Sequence, residues 1–131
     1  NLLSNAIKFS PAGSTVAVTA QTVNSQNIAK IAAALTQTCK AALGETLKNS
    51  SQKRKSLLLV QVKDQGQGVP EDDLEDIFIQ YKQLDASDAK HKGGTGLGLA
   101  ICRSIVQQHQ GKIWAQSVIE QGSTFFFTLP L

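Results

Sequence analysis

The chain has 131 residues, 41% of them apolar and 18% charged, which suits one water-soluble domain with a working core and leaves too little for two. Its uninterrupted apolar runs, such as residues 31–35 and 57–60, are far too short to span a bilayer. The net charge of +3 rests partly on Lys53, Arg54 and Lys55, a solvated loop pattern with no interleaved aromatic side chains to stack on bases, which argues against nucleic-acid binding.

The chain opens on NLLSNAIKFS, without an initiator methionine or a signal pattern, and so reads as a piece of a longer protein. Leu2, Leu3, Ala6, Ile7 and Phe9 recur at helical spacing until Ser10-Pro11-Ala12-Gly13 breaks the pattern, so the opening is the back half of a helix. Residues 14–23 alternate and are rich in Val and Thr, and residues 56–64 form a more apolar run; both read as strands, able to pair as neighbours. Between them Ile28, Ile31, Ala32, Leu35, Cys39, Ala42, Leu43 and Leu47 predict one amphipathic helix, weakened at Gly44, within an insertion of about residues 24–55.

After Asp64 a glycine turn leads to Pro70 at a first helical position and to acids suited to a helix N-terminus; Leu74, Ile77, Phe78 and Tyr81 would be the buried side of that helix. Residues 85–94 are small and polar, a loop with nothing to bury. A second helix is expected over about residues 97–110, closed by Gly111, and then a hairpin whose turn is Glu120-Gln121-Gly122. Cys39 and Cys102, far apart and each in a helical apolar pattern, read as buried thiols in a reducing compartment rather than a disulfide or metal site. The sum is an α/β two-layer sandwich with a mixed, mostly antiparallel sheet and helices on one face, a single domain over residues 1–131.

Three stretches carry chemistry. In KGGTGLGLAI, Gly94, Gly96 and Gly98 surround a helix start, where unpaired backbone N–H groups and the positive dipole end favour an anion. Taken alone, such glycines more often serve only to turn a loop, and neither a Gly-Lys-Ser/Thr ending nor a preceding strand is present. DQGQG sets the carboxylate of Asp64 at a strand end with Gly66 and Gly68 beside it, and in the opening helix Asn1 and Asn5 share a face with Lys8 nearly a turn further on.

Together these resemble the catalytic ATP-binding domain of sensor histidine kinases, of the Bergerat fold shared with DNA gyrase, the large heat-shock ATPase chaperones and mismatch-repair ATPases. NLLSNAIKFS resembles the asparagine box, DQGQGVP the first glycine box, IFIQYKQLD the phenylalanine box and GGTGLGLAI the second glycine box; the C-terminal CRSIVQQHQGKIWAQSVIEQGSTFFFTLPL is similar to the histidine-kinase branch. The resemblance implies that Asn5 is a Mg²⁺ ligand assisted by Asn1, that Lys8 neutralises phosphate charge, and that Asp64 accepts a hydrogen bond from the adenine amino group, favouring ATP over GTP. Gly66 and Gly68 would let the chain pass close to the base, Val69 and Ile77 would form apolar walls, and Phe78 and Tyr81 would stand near the loop that closes over nucleotide, or simply in the core. Gly94, Thr95, Gly96, Leu97 and Gly98 would face the phosphates behind an ATP lid of residues 85–93. Gln83 stands where the family often carries arginine, leaving Lys82, Lys90 or Lys92 as substitutes.

The implied reaction is transfer of the terminal phosphoryl group of Mg-ATP to a histidine on a dimerisation domain of the same protein and onward to a response regulator. Neither His91 nor His109 lies in an acceptor-like motif, so the acceptor is expected upstream. A cytoplasmic location follows for the domain, whether the parent is soluble or membrane-anchored. A nucleotide-sensing or scaffold module with decayed kinase activity is the alternative, motivated by Gln83 and the insertion; a gyrase-like conformational ATPase is disfavoured by the short lid.

Overall fold

A computed structural model describes residues 1–24, 26–33, 35–49, 56–79 and 96–131, with side chains omitted at 38 and 46–49. Helix α1 (Leu2–Phe9) ends where Pro11 forces the preceding residue out of the helical region: Ser10 has φ −85 and ψ 147. The Pro11 carbonyl then accepts from the Ser14 amide at 3.2 Å and the Ser14 hydroxyl at 2.6 Å, turning the chain toward strand β1 (Ala17–Asn24). β1 starts three residues later than its alternation suggests and is a sheet edge, exposed along most of its length, with Val23 alone fully buried.

The segment read from the sequence as an insertion begins with two asparagines bonded to each other's backbone. Asn24 Oδ1 accepts from the amides of Gln26 (3.0 Å) and Asn27 (3.1 Å), and Asn27 Oδ1 accepts from the Asn24 amide (2.8 Å). The single helix expected here is two: α2 (Ile28–Ala33) and α3 (Gln37–Asn49), the latter running straight through Gly44. The break arises because the Thr36 hydroxyl accepts from the Cys39 amide at 3.4 Å, a cap that starts a new helix inside an unbroken apolar periodicity.

Strands β2 (Ser56–Lys63), β3 (Ile113–Val118) and β4 (Gly122–Pro130) complete a four-stranded sheet of order β1-β2-β4-β3. The sheet was expected to be mostly antiparallel, and all three pairings among the described residues are antiparallel. Phe126 pairs with both Gln61 and Trp114, and Phe125 with both Val62 and Ala115, so neighbouring β4 residues supply opposite faces. One face carries Val23, Leu57, Leu59, Trp114 and Phe126, packed against Leu35, Cys39, Ala42 and Leu43 of the insertion; the Trp114 and Phe126 rings stack at 5.5 Å, 6° from parallel. The other face carries Ala115 and Phe125 against Ile77 and Phe78, with Leu2 of α1 and Leu99 of the last helix at its margin. The α/β sandwich therefore forms as expected, but helices occupy both faces rather than one: the insertion is a third layer whose apolar stripe is covered by the domain's own sheet.

Two further expectations change. The helix anticipated after Pro70 is two short 3₁₀ turns, Glu71–Asp73 and Asp76–Phe78. A regular α-helix there would set Glu71 over Glu75 and Asp72 over Asp76, like charges one turn apart. The last helix, α4 (Gly98–Gln108), ends in a Schellman arrangement in which Gln110 (φ 60), not Gly111, takes the left-handed conformation; the Gln110 amide reaches the Gln107 carbonyl and the Gly111 amide the Val106 carbonyl, both at 2.9 Å. In the hairpin turn both Glu120 (φ 61) and Gly122 (φ 112) take a positive φ. Both cysteines are free, Cys39 buried and Cys102 only half-buried.

Leu43, fully enclosed between α3 and the sheet, is the sharpest test of this third layer. Leu43→Ala should destabilise the chain by about 2–5 kcal/mol, read as a lower urea midpoint. Glu45→Ala, which breaks the exposed pair with Lys112, should cost no more than about 1 kcal/mol. A loss at Leu43 as small as that at Glu45 would mean the insertion does not stabilise the sheet.

Candidate functional site

The site is built around the point where β2 stops. The Asp64 amide continues the ladder by donating to the Ser123 carbonyl at 2.9 Å, but the return bond goes to a side chain: the Ser123 amide donates to Asp64 Oδ1 at 3.1 Å. The Gly66 amide donates to the same oxygen at 2.9 Å. Asp64 is 5% exposed, and a carboxylate so enclosed is tolerable because two backbone donors compensate its lost hydration. Both bonds fall on Oδ1, so they orient the group without drawing on Oδ2.

The following loop is tied down on three sides. Gln65 Oε1 accepts from the Thr15 amide (2.9 Å), the Gln67 carbonyl accepts from the Glu120 amide (2.8 Å), and the Val69 amide donates to the Ser117 hydroxyl (2.8 Å). Its two glycines answer to close backbone approach. A Cβ at Gly66 would come within 2.7 Å of the Phe9 carbonyl oxygen at the end of α1, and Gly68, at φ 77, would drive one into the Val118 carbonyl. The nearest neighbour at each position is protein backbone, and at Gly66 the Asp64 Oδ1 lies close behind, at 3.1 Å.

Helix α1 links this loop to the second glycine-rich segment. At its far end Asn1 is the N-cap residue, and its amide nitrogen reaches the Gly98 carbonyl at 3.4 Å. Asn5 lies one turn on, half-buried, its own amide bonded to the Asn1 carbonyl at 2.9 Å. The Lys8 ammonium sits 5.1 Å from the centre of the Phe9 ring. Thus a helix of eight residues, about 12 Å long, has one end against the start of α4 and the other against the loop after Asp64.

At the start of α4, Gly96 has φ 67 and Leu97 is the N-cap, with no side-chain acceptor for the first-turn N–H groups among the described residues. A Cβ at Gly98 would make only ordinary contact with Asn1. Val69 and Leu99 flank the buried pair Ile77 and Phe78, and the Phe78 ring meets Phe125 edge-on at 6.2 Å, as part of the core. Tyr81, Gly94, Thr95, the lid residues 85–93, and Lys82, Gln83, Lys90, His91 and Lys92 lie outside the described residues. His109 is the exposed C-cap of α4. Among the described residues no three His, Cys, Asp or Glu side chains group as a metal site, and no helix is long and apolar enough to cross a membrane.

Two residues of the site escape motif reading: Ser123, whose amide fixes Asp64, and Ser117, which holds Val69. Their signal was in the hairpin, since a turn pairing Val118 with Gly122 puts Ser117 opposite Ser123.

Comparison with known proteins agrees with this geometry. The family model described as "Histidine kinase-, DNA gyrase B-, and HSP90-like ATPase" matches residues 1–131. The chain is 35% identical to the sensor histidine kinase WalK of Bacillus subtilis over 130 residues, covering 99% of this chain and 16% of that protein. It is 44% identical to the sensor protein kinase WalK of Staphylococcus aureus over 73 residues, 56% of this chain and 18% of that protein. In fold it is similar to the mycobacterial sensor histidine kinase MprB (TM-score 0.65, 21% identity, 98% of this chain and 64% of that one). Full-length ShkA, solved with AMPPNP, is similar to a like degree (TM-score 0.64, 24% identity, 98% and 19%). The chain thus belongs to the histidine kinase-, DNA gyrase B- and HSP90-like ATPase family.

Proposed function

We propose that this chain is the ATP-binding catalytic domain of a sensor histidine kinase. The observation that carries the reading is the bridge made by α1, which joins a fixed carboxylate at one end to an uncapped helix start at the other. Asp64 offers Oδ2 as an acceptor, which suits the amino group of adenine; the carbonyl oxygen of guanine would bring acceptor against acceptor. The first-turn N–H groups of α4 suit phosphate oxygens, with Gly96 and Gly98 adding no side-chain bulk there.

Asn5, half-buried between the two ends of α1, supplies a neutral amide oxygen. One such ligand fits Mg²⁺, which keeps several waters and takes phosphate oxygens rather than an all-protein cage. When bound, the ion would draw charge from the phosphates. Asn1 would keep α1 and α4 in register, while Lys8 would swing its ammonium from the Phe9 ring toward the phosphates as a point charge. Lys82, Lys90 and Lys92 remain substitutes for the arginine that Gln83 replaces. Val69 and Ile77 would line the base, and Gly94, Thr95 and Leu97 would complete the phosphate segment.

The phosphoryl acceptor is then a histidine on a dimerisation domain of the same protein, and a response regulator is the downstream partner; His109, at an exposed helix end, has no acidic partner of the kind an acceptor uses among the described residues. Two free thiols support a cytoplasmic position. Supplying a histidine-bearing helical hairpin in trans with labelled ATP should yield acid-labile phosphohistidine. ATP binding without any transfer would favour a nucleotide-sensing module instead.

Asp64→Asn is a fine probe because Asn keeps the Oδ1 acceptor for Gly66 and Ser123 but turns a donor toward the base. Calorimetric titration should show ATP affinity falling about 10–100-fold, with a smaller loss or a gain for GTP. Equal losses for both nucleotides would detach Asp64 from base recognition. Asn5→Ala should remove the dependence of ATP affinity on Mg²⁺, compared in titrations with and without EDTA; an unchanged dependence would place the ion elsewhere.

A further inference from the structure

The Ser117 hydroxyl has three partners and its capacity is fully used. It accepts from the Val69 amide at 2.8 Å, lies 2.9 Å from the Gly122 carbonyl, and lies 2.8 Å from the Ser123 hydroxyl. A hydroxyl has one proton and two lone pairs. The carbonyl can only accept, so the Ser117 proton goes to Gly122; the Ser123 hydroxyl must then donate to Ser117. One oxygen therefore takes two donors and gives its only proton, with no alternative arrangement that satisfies all three neighbours.

Those neighbours bracket the loop that begins at Asp64. Val69 closes it, and Ser123, through its amide, holds the carboxylate that opens it. The Ser123 amide belongs to the same peptide unit as the Gly122 carbonyl that Ser117 engages, so fixing that carbonyl fixes the direction of the N–H bound to Asp64 Oδ1. We infer that Ser117 is a positioning residue for base recognition, holding both ends of the 64–69 loop so that Asp64 Oδ2 keeps its direction. The inference rests on the reading of Asp64 as the adenine acceptor. It adds a specificity determinant at a strand position that itself stands apart from every glycine or asparagine motif.

The test compares ATP with purine riboside triphosphate, the same nucleotide without the 6-amino group, by titration of the whole chain in the presence of Mg²⁺. The wild type should prefer ATP, and Asp64→Asn should abolish the preference. Ser117→Ala should reduce the preference about tenfold while changing affinity for the deaminated nucleotide about twofold at most, since the phosphate end is untouched. Ser117→Thr, which keeps the hydroxyl on a residue at ease in a strand, should restore it. A packing role alone would lower the melting temperature and leave the preference intact. If Ser117→Ala does not fold, Ser117→Cys, with a weaker donor and acceptor, should show an intermediate preference, and wild-type behaviour there overturns the inference. Loss of preference in Asp64→Asn with full preference in Ser117→Ala rejects the role of Ser117 alone. No preference in the wild type rejects the adenine reading, and the role of Ser117 with it.

Discussion

The architecture of the site depends on one substitution in a hydrogen-bond ladder: where β2 ends, a side-chain carboxylate takes the place of a main-chain carbonyl as the acceptor for Ser123. A backbone ladder left to continue would have carried β2 past the sheet as plain strand. By accepting from both Ser123 and Gly66, Asp64 ends the strand, starts the turn and keeps its own charge solvated by protein dipoles in an enclosed position. Everything placed afterwards, from the Gln67 bond to the hairpin to the approach of Gly66 onto the end of α1, is built outward from that carboxylate.

The helix it meets does more than cap the core. α1 is short, yet both of its ends make site contacts, Phe9 against Gly66 and Asn1 against Gly98. A helix is stiff over two turns, so the distance between the strand-end carboxylate and the start of α4 is held by a covalent strut rather than by loop packing. The loops on either side can then carry glycine without the site losing its dimensions.

On the opposite face the inserted helices change what the sheet exposes. Trp114, Phe126, Leu57 and Leu59 would otherwise form an apolar surface open to water, and Leu35, Cys39, Ala42 and Leu43 cover it. The insertion and the sheet thus answer each other's need for burial. That mutual cover accounts for an apolar stripe in a segment whose helices stand apart from the elements of the site.

The sequence by itself determined the presence of the four strands, the end of α1 before Pro11 and the position of the last helix, and it singled out Asp64, Asn5 and the glycines as candidates for a site. Those features are local: turn residues, periodicity and motif spacing act within a few residues of the chain. It could not divide the insertion, because the Thr36 cap is a side-chain choice hidden under an unbroken apolar pattern, nor could it prefer 3₁₀ turns to a helix after Pro70, where charge repulsion outweighed a good start signal. Only the tertiary structure decided which face the insertion covers, that Gly66 and Gly68 yield to backbone at Phe9 and Val118, and that Ser117 and Ser123 hold the loop of Asp64. Each of these depends on residues far apart in the chain being brought together, by strand register and by the packing of helices on the sheet, and register is fixed by the whole sheet closing on its two cores.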